Sequence, residues 1–484
     1  MEDSSLKQKT ISGIIWSAVQ RFGTMIISFV SNIVLARLLT PDDFGCIGLL
    51  AIFIVVANVF VNGGFAAALI QKPNPSKEDY STVFIWNILV SMLFYLGLYL
   101  AAPYIAVFYS IPLLSAVLKV QGIILIINAL SVIHLSVLRK NLQFKEMSII
   151  QIIAISISVA TAIVLALKGW GVWALVAQQL LNSAITTILL WFVCSWKPEL
   201  FFSWRSFRQL FDYGAFLLLS DILNSICDNI QGLVIGRRFT AGDMGYYSQA
   251  KKLEEVPTQS ISQVVSLVSF PVFAKLQNDK QKLYVAVRKS LMSMNFLNFP
   301  LMILLVVVAE PLLTLLYSDR WLDAIPYFRI LCISGIVNCM QSVNYQVVCA
   351  VGKSREIFKW NIVKRIVGIG LIFIGMYWGI EGILWGMVAG FYFTFAVNAI
   401  VAAPTTGYSL SRQLFDAAPV LMIAVVAAVG TMAIGMAVDL NYIFLLVIQV
   451  FVYLFIYIGM ARLMRRLELD EYVNIVKSYF FSHD

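Results

Sequence analysis

The sequence predicts an all-α, polytopic membrane protein of about fourteen transmembrane helices, built as two pseudo-symmetric six-helix lobes plus a C-terminal helix pair. Three observations predict it. Hydrophobic residues make up 60% of the 484 residues and charged residues only 13%, against roughly 25% charged in a typical globular domain. The apolar residues lie in continuous runs of membrane-crossing length, not in the alternating pattern of a membrane barrel. Lysine and arginine fall overwhelmingly in alternate loops. A soluble chain of this size has no core that could hide so much apolar surface, so the excess faces lipid.

The elements follow in order. A mostly polar stretch of ten residues leads into span 11–38, which is broken by Gln20 and Arg21 and is too long for the core of a signal peptide. Apolar runs at 43–70, 81–107, 113–137, 147–167 and 171–195 complete a first lobe, 1–196. The linker, 197–208, lies within KPELFFSWRSFRQLF (197–211), whose aromatic and basic residues predict a short helix in the cytoplasmic interface. Spans 209–236 and 243–272 open the second lobe, 209–403, and carry the most charge; Pro257 removes one backbone donor and permits a bend. Spans 288–317, 325–349, 357–378 and 381–403 finish that lobe. Spans 416–438 and 440–463 form the terminal pair, within 404–484, ahead of a cytoplasmic tail.

Of the 35 Lys and Arg residues, 25 fall in or beside the loops on the side of the N-terminus, including Lys364, Arg365, Arg465, Arg466 and Lys477, and 6 on the opposite side. That bias predicts that both termini are cytoplasmic. It also explains the net charge of +9 without nucleic acid. Trp170, Trp191, Trp196, Trp321, Trp378 and Trp385 lie near span ends, as an aromatic belt requires. Six isolated cysteines and two histidines, His134 and His483, indicate neither a disulfide framework nor a metal centre. No phosphate loop, nucleophile elbow or His-Glu-x-x-His motif is present. The chain is therefore expected to be no enzyme and to need no cofactor. Its energy would come from an ion gradient, H+ or Na+ included, from membrane potential or from a substrate gradient.

The chain also repeats itself. IVLARLLTPDDFG (33–45) and LVIGRRFTAGDMG (233–245) share Arg37/Arg237, Thr40/Thr240, Asp43/Asp243 and Gly45/Gly245 at an offset of 200, and Lys145-Glu146 is echoed by Arg355-Glu356. Both echoes occupy equivalent loops, so the two blocks have parallel topology. The same offset relates two polar helix faces: Gln20, Arg21, Thr24, Ser28 and Ser31 in the first span, and Ser220, Asp221, Asn224, Asp228 and Gln231 in the seventh. Such faces either line a hydrated cavity or serve as interhelical hydrogen-bond glue; the intramembrane charge of Arg21, Asp221 and Asp228 favours the cavity. In the eighth span Lys251 and Glu255 are spaced to pair, while Lys252 shares a face with Gln249, Gln259 and Gln263. Arg21 and Lys252, with Gln20, Thr24, Asn224 and Gln259, make a cationic polar set suited to an anionic head group. Asp221, Asp228 and Glu255 are candidates for ion coupling, as are Glu254 and Glu310. Arg37, Arg237 and Arg238 form an outer rim.

The segment 210–277, through Asp228, Ile235-Gly236-Arg237, Gly245-Tyr246-Tyr247-Ser248, Pro257 and Phe270-Pro271, resembles the polysaccharide transporter branch of the multidrug/oligosaccharidyl-lipid/polysaccharide (MOP) exporter superfamily. ARLLTPDDFG (36–45) and NGGFAAALIQK (62–72) look like the same family's N-terminal pattern, closest to Wzx-type, colanic-acid-exporter-like flippases. The resemblance implies a MATE-like fold in the bacterial inner membrane. It also implies alternating-access transfer of undecaprenyl-pyrophosphate-linked oligosaccharide repeat units to the outer leaflet, for surface polysaccharide. Implied partners are that lipid-linked oligosaccharide, membrane lipids, a polysaccharide polymerase and glycosyltransferases. Two other readings stand beside it. One is a multidrug-type, cation-coupled antiporter of the same superfamily, kept alive by Asp221 and Asp228. The other is a non-transporting membrane assembly factor.

Overall fold

In the computed structural model of the chain, which describes residues 2–199, 201–437, 441–464 and 468, every regular element is a helix. The order is α1 (Glu2–Leu38), α2 (Pro41–Asn62), α3 (Phe65–Gln71), α4 (Lys77–Tyr109), α5 (Leu113–Gln121), α6 (Ile123–Lys140), α7 (Phe144–Leu167), α8 (Val172–Val193), α9 (Trp204–Arg238), α10 (Ala241–Leu276), α11 (Lys280–Val307), α12 (Ala309–Tyr317), α13 (Ala324–Ala350), α14 (Ser354–Gly375), α15 (Gly379–Thr406), α16 (Leu410–Ala437) and α17 (Tyr442–Leu463). Short 3-10 turns at Asp319–Trp321 and Met376–Trp378 precede α13 and α15. Arg465, Arg466, Lys477 and His483, which belong to the expected cytoplasmic tail, lie outside the described residues.

Eleven helical stretches among the described residues are long and apolar enough to cross a membrane, or up to twelve if the bent pair Trp204–Asp212 and Leu217–Arg238 is one span. The count of fourteen is thus not established. The shortfall has two physical sources. Glu356–Thr406 registers as a single stretch although it contains α14, a 3-10 turn and α15. The polar α10, with Lys251, Lys252, Glu254 and Glu255 in its first half, falls outside the apolar set. Residues 197–199 and 201–203 are not helical; the helix of this region begins at Trp204 as the first arm of α9, which turns by 57° before Leu217.

The chain forms two compact units, Met1–Gly245 and Tyr246–Asp484. In the first, α1 lies along α7, and α9 lies along α2. Glycine permits both approaches. A Cβ on Gly13 would meet the Phe144 ring at 2.7 Å, and one on Gly236 would meet Leu49 at 2.1 Å. An aromatic cluster of Phe65, Phe84, Trp191, Trp196 and Phe207 packs at one end of this unit, with His134 stacked on Trp191 at 5.0 Å.

In the second unit one large core joins residues of α11, α13, α15, α16 and α17. The terminal pair is locked into it by polar contacts. Asn344 and Gln413 exchange amide hydrogen bonds of 2.8 and 3.0 Å, and the Tyr457 hydroxyl donates to the Phe296 carbonyl at 2.8 Å. Arg288 forks onto Asp416 at 2.7 and 3.1 Å, and Tyr408 donates to the same carboxylate at 2.8 Å. Within apolar surroundings each such bond between helices contributes about 0.6–2 kcal/mol.

The aromatic-belt reading needs correction. Trp170, Trp378 and Trp385 are exposed, but Trp321 is fully buried, packed edge-on to Tyr246 and beside Tyr317. Trp191 and Trp196 are half-buried in the aromatic cluster. A tryptophan at a helix end can sit at an interface or plug a core, and the large ring favours whichever cavity fits it.

Candidate functional site

The duplicated motif folds twice in the same way. At the start of α2 the Asp43 carboxylate accepts from the Thr40 amide and hydroxyl at 2.9 and 2.8 Å, and the Thr40 hydroxyl oxygen accepts from the Asp43 amide at 3.4 Å. At the start of α10 the corresponding distances for Thr240 and Asp243 are 3.0, 2.7 and 3.1 Å. These are reciprocal capping boxes, which satisfy orphan backbone donors at a helix start.

The two caps dock on each other. A Cβ added to Gly45 would stand 1.7 Å from the Ala241 carbonyl oxygen, and one added to Gly245 would stand 1.9 Å from that of Pro41. The contact is reciprocal, glycine of one copy against first-turn carbonyl of the other. Only a hydrogen fits at either place. The arginines of the outer rim sit just before these turns. Arg37 ends α1, and Arg237 and Arg238 end α9; all three are exposed, and Arg237 donates to the Phe108 carbonyl at 3.2 Å and lies over its ring at 5.1 Å.

The polar stripes are partly as expected and partly not. In α1, Arg21 and Ser28 are exposed, and Gln20 and Thr24 are half-buried. Thr24 turns its hydroxyl back onto the Gln20 and Arg21 carbonyls at 2.8 and 3.1 Å. Ser31 leaves the stripe: it is buried and accepts a hydrogen bond from Gln178 of α8 at 3.1 Å. In α9, Ser220, Asp221, Asn224 and Asp228 are exposed, whereas Gln231 is buried and donates to the Asp228 carbonyl. The stripes therefore end where α1 and α9 enter the packed region around the capping boxes. There the same residue types act as glue between and within helices.

In α10, Lys251 and Glu255 pair at 3.8 Å, as their spacing requires. Lys252 and Gln259 are both exposed, two turns apart on one face, and Gln263 is half-buried. Gln249 does not share that face, being fully buried. Arg21, Gln20, Thr24, Asp221, Asn224 and Asp228 belong to the first unit, and Lys252, Glu255 and Gln259 to the second.

Glu254, one of the ion-coupling candidates, is the buried acid of this helix. Its carboxylate accepts from the Thr258 hydroxyl at 2.5 Å and lies over Gly335 of α13, where a Cβ would come within 2.8 Å. Its position beside a glycine on a distant helix left no local signal. Among the described residues, no group of three or more His, Cys, Asp or Glu could hold a metal ion.

A bundle of apolar helices carrying intramembrane charges on exposed helix faces defines the class: a polytopic membrane protein with a transporter fold. The solved structures agree. "Lipid II flippase MurJ, inward closed conformation" superposes with a TM-score of 0.75 over 94% of this chain and 100% of that one, at 15% identity. An inward-facing MATE multidrug transporter of the MOP superfamily gives 0.59 over 84% and 98%, also at 15% identity. Residues 34–326 match the family described as "Polysaccharide biosynthesis protein", and the chain belongs to that family. "Lipopolysaccharide biosynthesis protein WzxC" of Escherichia coli (strain K12) is a relative, 27% identical over 82% of this chain and 81% of its own.

Proposed function

We propose that the protein is a flippase of the bacterial inner membrane, with both termini cytoplasmic, which turns an undecaprenyl-pyrophosphate-linked oligosaccharide repeat unit from the cytoplasmic to the outer leaflet for surface polysaccharide assembly. The observation that carries the reading is Arg21, an exposed guanidinium in the middle of a membrane-length helix of a polysaccharide-biosynthesis protein. A charge at that depth costs several kcal/mol unless water or a counter-ion receives it. A pyrophosphate is a fitting counter-ion, since guanidinium donates to it through two parallel N–H groups. Gln20, Thr24, Asn224, Lys252 and Gln259 supply further polar contacts to the head group. The lipid tail stays in the bilayer while the sugar-bearing head moves by alternating access.

The carboxylates Asp221, Asp228 and Glu255 are the proposed sites of coupling to H+ or Na+. Arg37, Arg237 and Arg238 receive the anionic product at the outer rim. A polymerase and glycosyltransferases act before and after this step as partners. The rival antiporter reading keeps one specific support, the exposed pair Asp221 and Asp228. A drug-susceptibility change on deletion, with the surface glycan intact, would decide for it.

The test is complementation of a deletion strain. Arg21→Ala is expected to impair glycan export about tenfold or more, and Arg21→Lys less, because a point charge replaces part of the anion contact. Wild-type export by both variants at normal protein levels would remove Arg21 from the mechanism. Export that also survives Asp228→Ala would favour a non-transporting assembly factor.

A further inference from the structure

Lys364 and Arg365 count with the charges in and beside the loops on the side of the N-terminus; the structure places them well inside α14. α14 starts at Ser354, so Lys364 lies ten residues in, about 15 Å along the axis. That is about half the thickness of a hydrocarbon core. Both cations are half-buried. Lys364 donates to the Asn398 carbonyl oxygen of α15 at 2.8 Å and stands 5.9 Å from the centre of the Tyr345 ring of α13. Asn398 in turn donates to the Gln341 backbone at 3.2 Å, Gln341 to Asn338 at 2.6 Å, and Asn338 to Ser262 of α10 at 3.1 Å. A polar network thus links α10, α13, α15 and α14 and ends on an ammonium.

The helices that hold Lys364 carry little negative charge. α13 contains no acid at all, and α14 and α15 contain only Glu356 and Glu381, each in a first turn. Among the described residues no carboxylate forms an ion pair with Lys364; its partners are an amide oxygen and an aromatic face. Neutral dipoles compensate an intramembrane ammonium only in part, and the remaining cost favours an anion from outside the chain. The neighbouring Tyr345 is 37% exposed, so the site opens to the surface of its unit.

We propose that Lys364, with Tyr345 and Asn398, forms an anion site for a phosphate or pyrophosphate group, distinct from Arg21 and held within the second unit. The group arrives either on a polyprenyl lipid or as free pyrophosphate. The site adds a stopping point at mid-depth to the transport reading and stands apart from the role of Arg21.

Purified full-length protein in nanodiscs provides the test, with inorganic pyrophosphate and undecaprenyl phosphate as separate probes and binding isotherms as the readout. Lys364→Gln is expected to weaken binding about tenfold, the loss of one charge-assisted contact, and Lys364→Arg to retain it. Asn398→Asp guards against a folding artefact. It sets a carboxylate against the ammonium, so it should abolish anion binding while leaving the ligand-free melting temperature unchanged or higher. Lipid-probe binding alone would mark a head-group site, and binding of both probes a general phosphate site; either supports the assignment. Failure of the wild type to bind either probe, or Lys364→Gln binding as the wild type does, would overturn it and leave Lys364 as interhelical glue. Export that ignores Arg21 would sink the flippase mechanism above without touching this result.

Discussion

Gly45 and Gly245 mark how far a residue's meaning can lie from its neighbours. Their identity across the duplication was visible in the sequence, but the reason was not, because each is pressed against a carbonyl of the other copy some 200 residues away. Forcing a methyl into a backbone contact of this kind costs about 1–3 kcal/mol, so Gly45→Ala should part the two caps. Cys46 is buried beside the contact and reports on it. A water-soluble maleimide should label Cys46 slowly in the wild type and several-fold faster in Gly45→Ala, read by peptide mass mapping. Equal labelling would mean that the caps stay docked. Ser31, Gln231, Gln249 and Trp321 illustrate the same limit. Residue type and helical phase placed them on polar or interfacial faces, yet each is buried by a partner or packing surface that the local pattern does not encode.

Elements were more legible than residues. Continuous apolar runs and charged interruptions located nearly every helix, since a membrane helix satisfies its own backbone and its signal is local. The charged α10, read as span 243–272, is one helix of 36 residues that continues through Pro257 and Pro271, although its composition excludes it from the apolar set. The α14 cations lie inside the span read as 357–378, and the helix itself starts at Ser354. The terminal pair yields a direct prediction at this scale. Asp416 of α16 accepts from Arg288 of α11 and from Tyr408, so Asp416→Asn loses charge assistance and should destabilise the protein by about 1–3 kcal/mol. Thermal unfolding of the purified protein checks it. An unchanged midpoint would show that the apolar core alone holds α16 in place.

At the scale of the whole molecule, composition and periodicity dictated an all-helical polytopic chain, and the structure has the fold of the flippases and multidrug transporters of the MOP superfamily. The substrate was legible only as chemistry. Intramembrane cations call for an anion, while the acids of α9 and α10 leave room for a coupling ion. The central claim is that a lipid-linked oligosaccharide crosses the membrane through this protein. It is tested most directly by depleting the protein and measuring which lipid-linked oligosaccharide accumulates, and on which leaflet. Build-up of complete repeat units confined to the cytoplasmic leaflet, reversed by restoring the wild type, is the predicted result. Repeat units reaching the outer leaflet at the undepleted rate would contradict it.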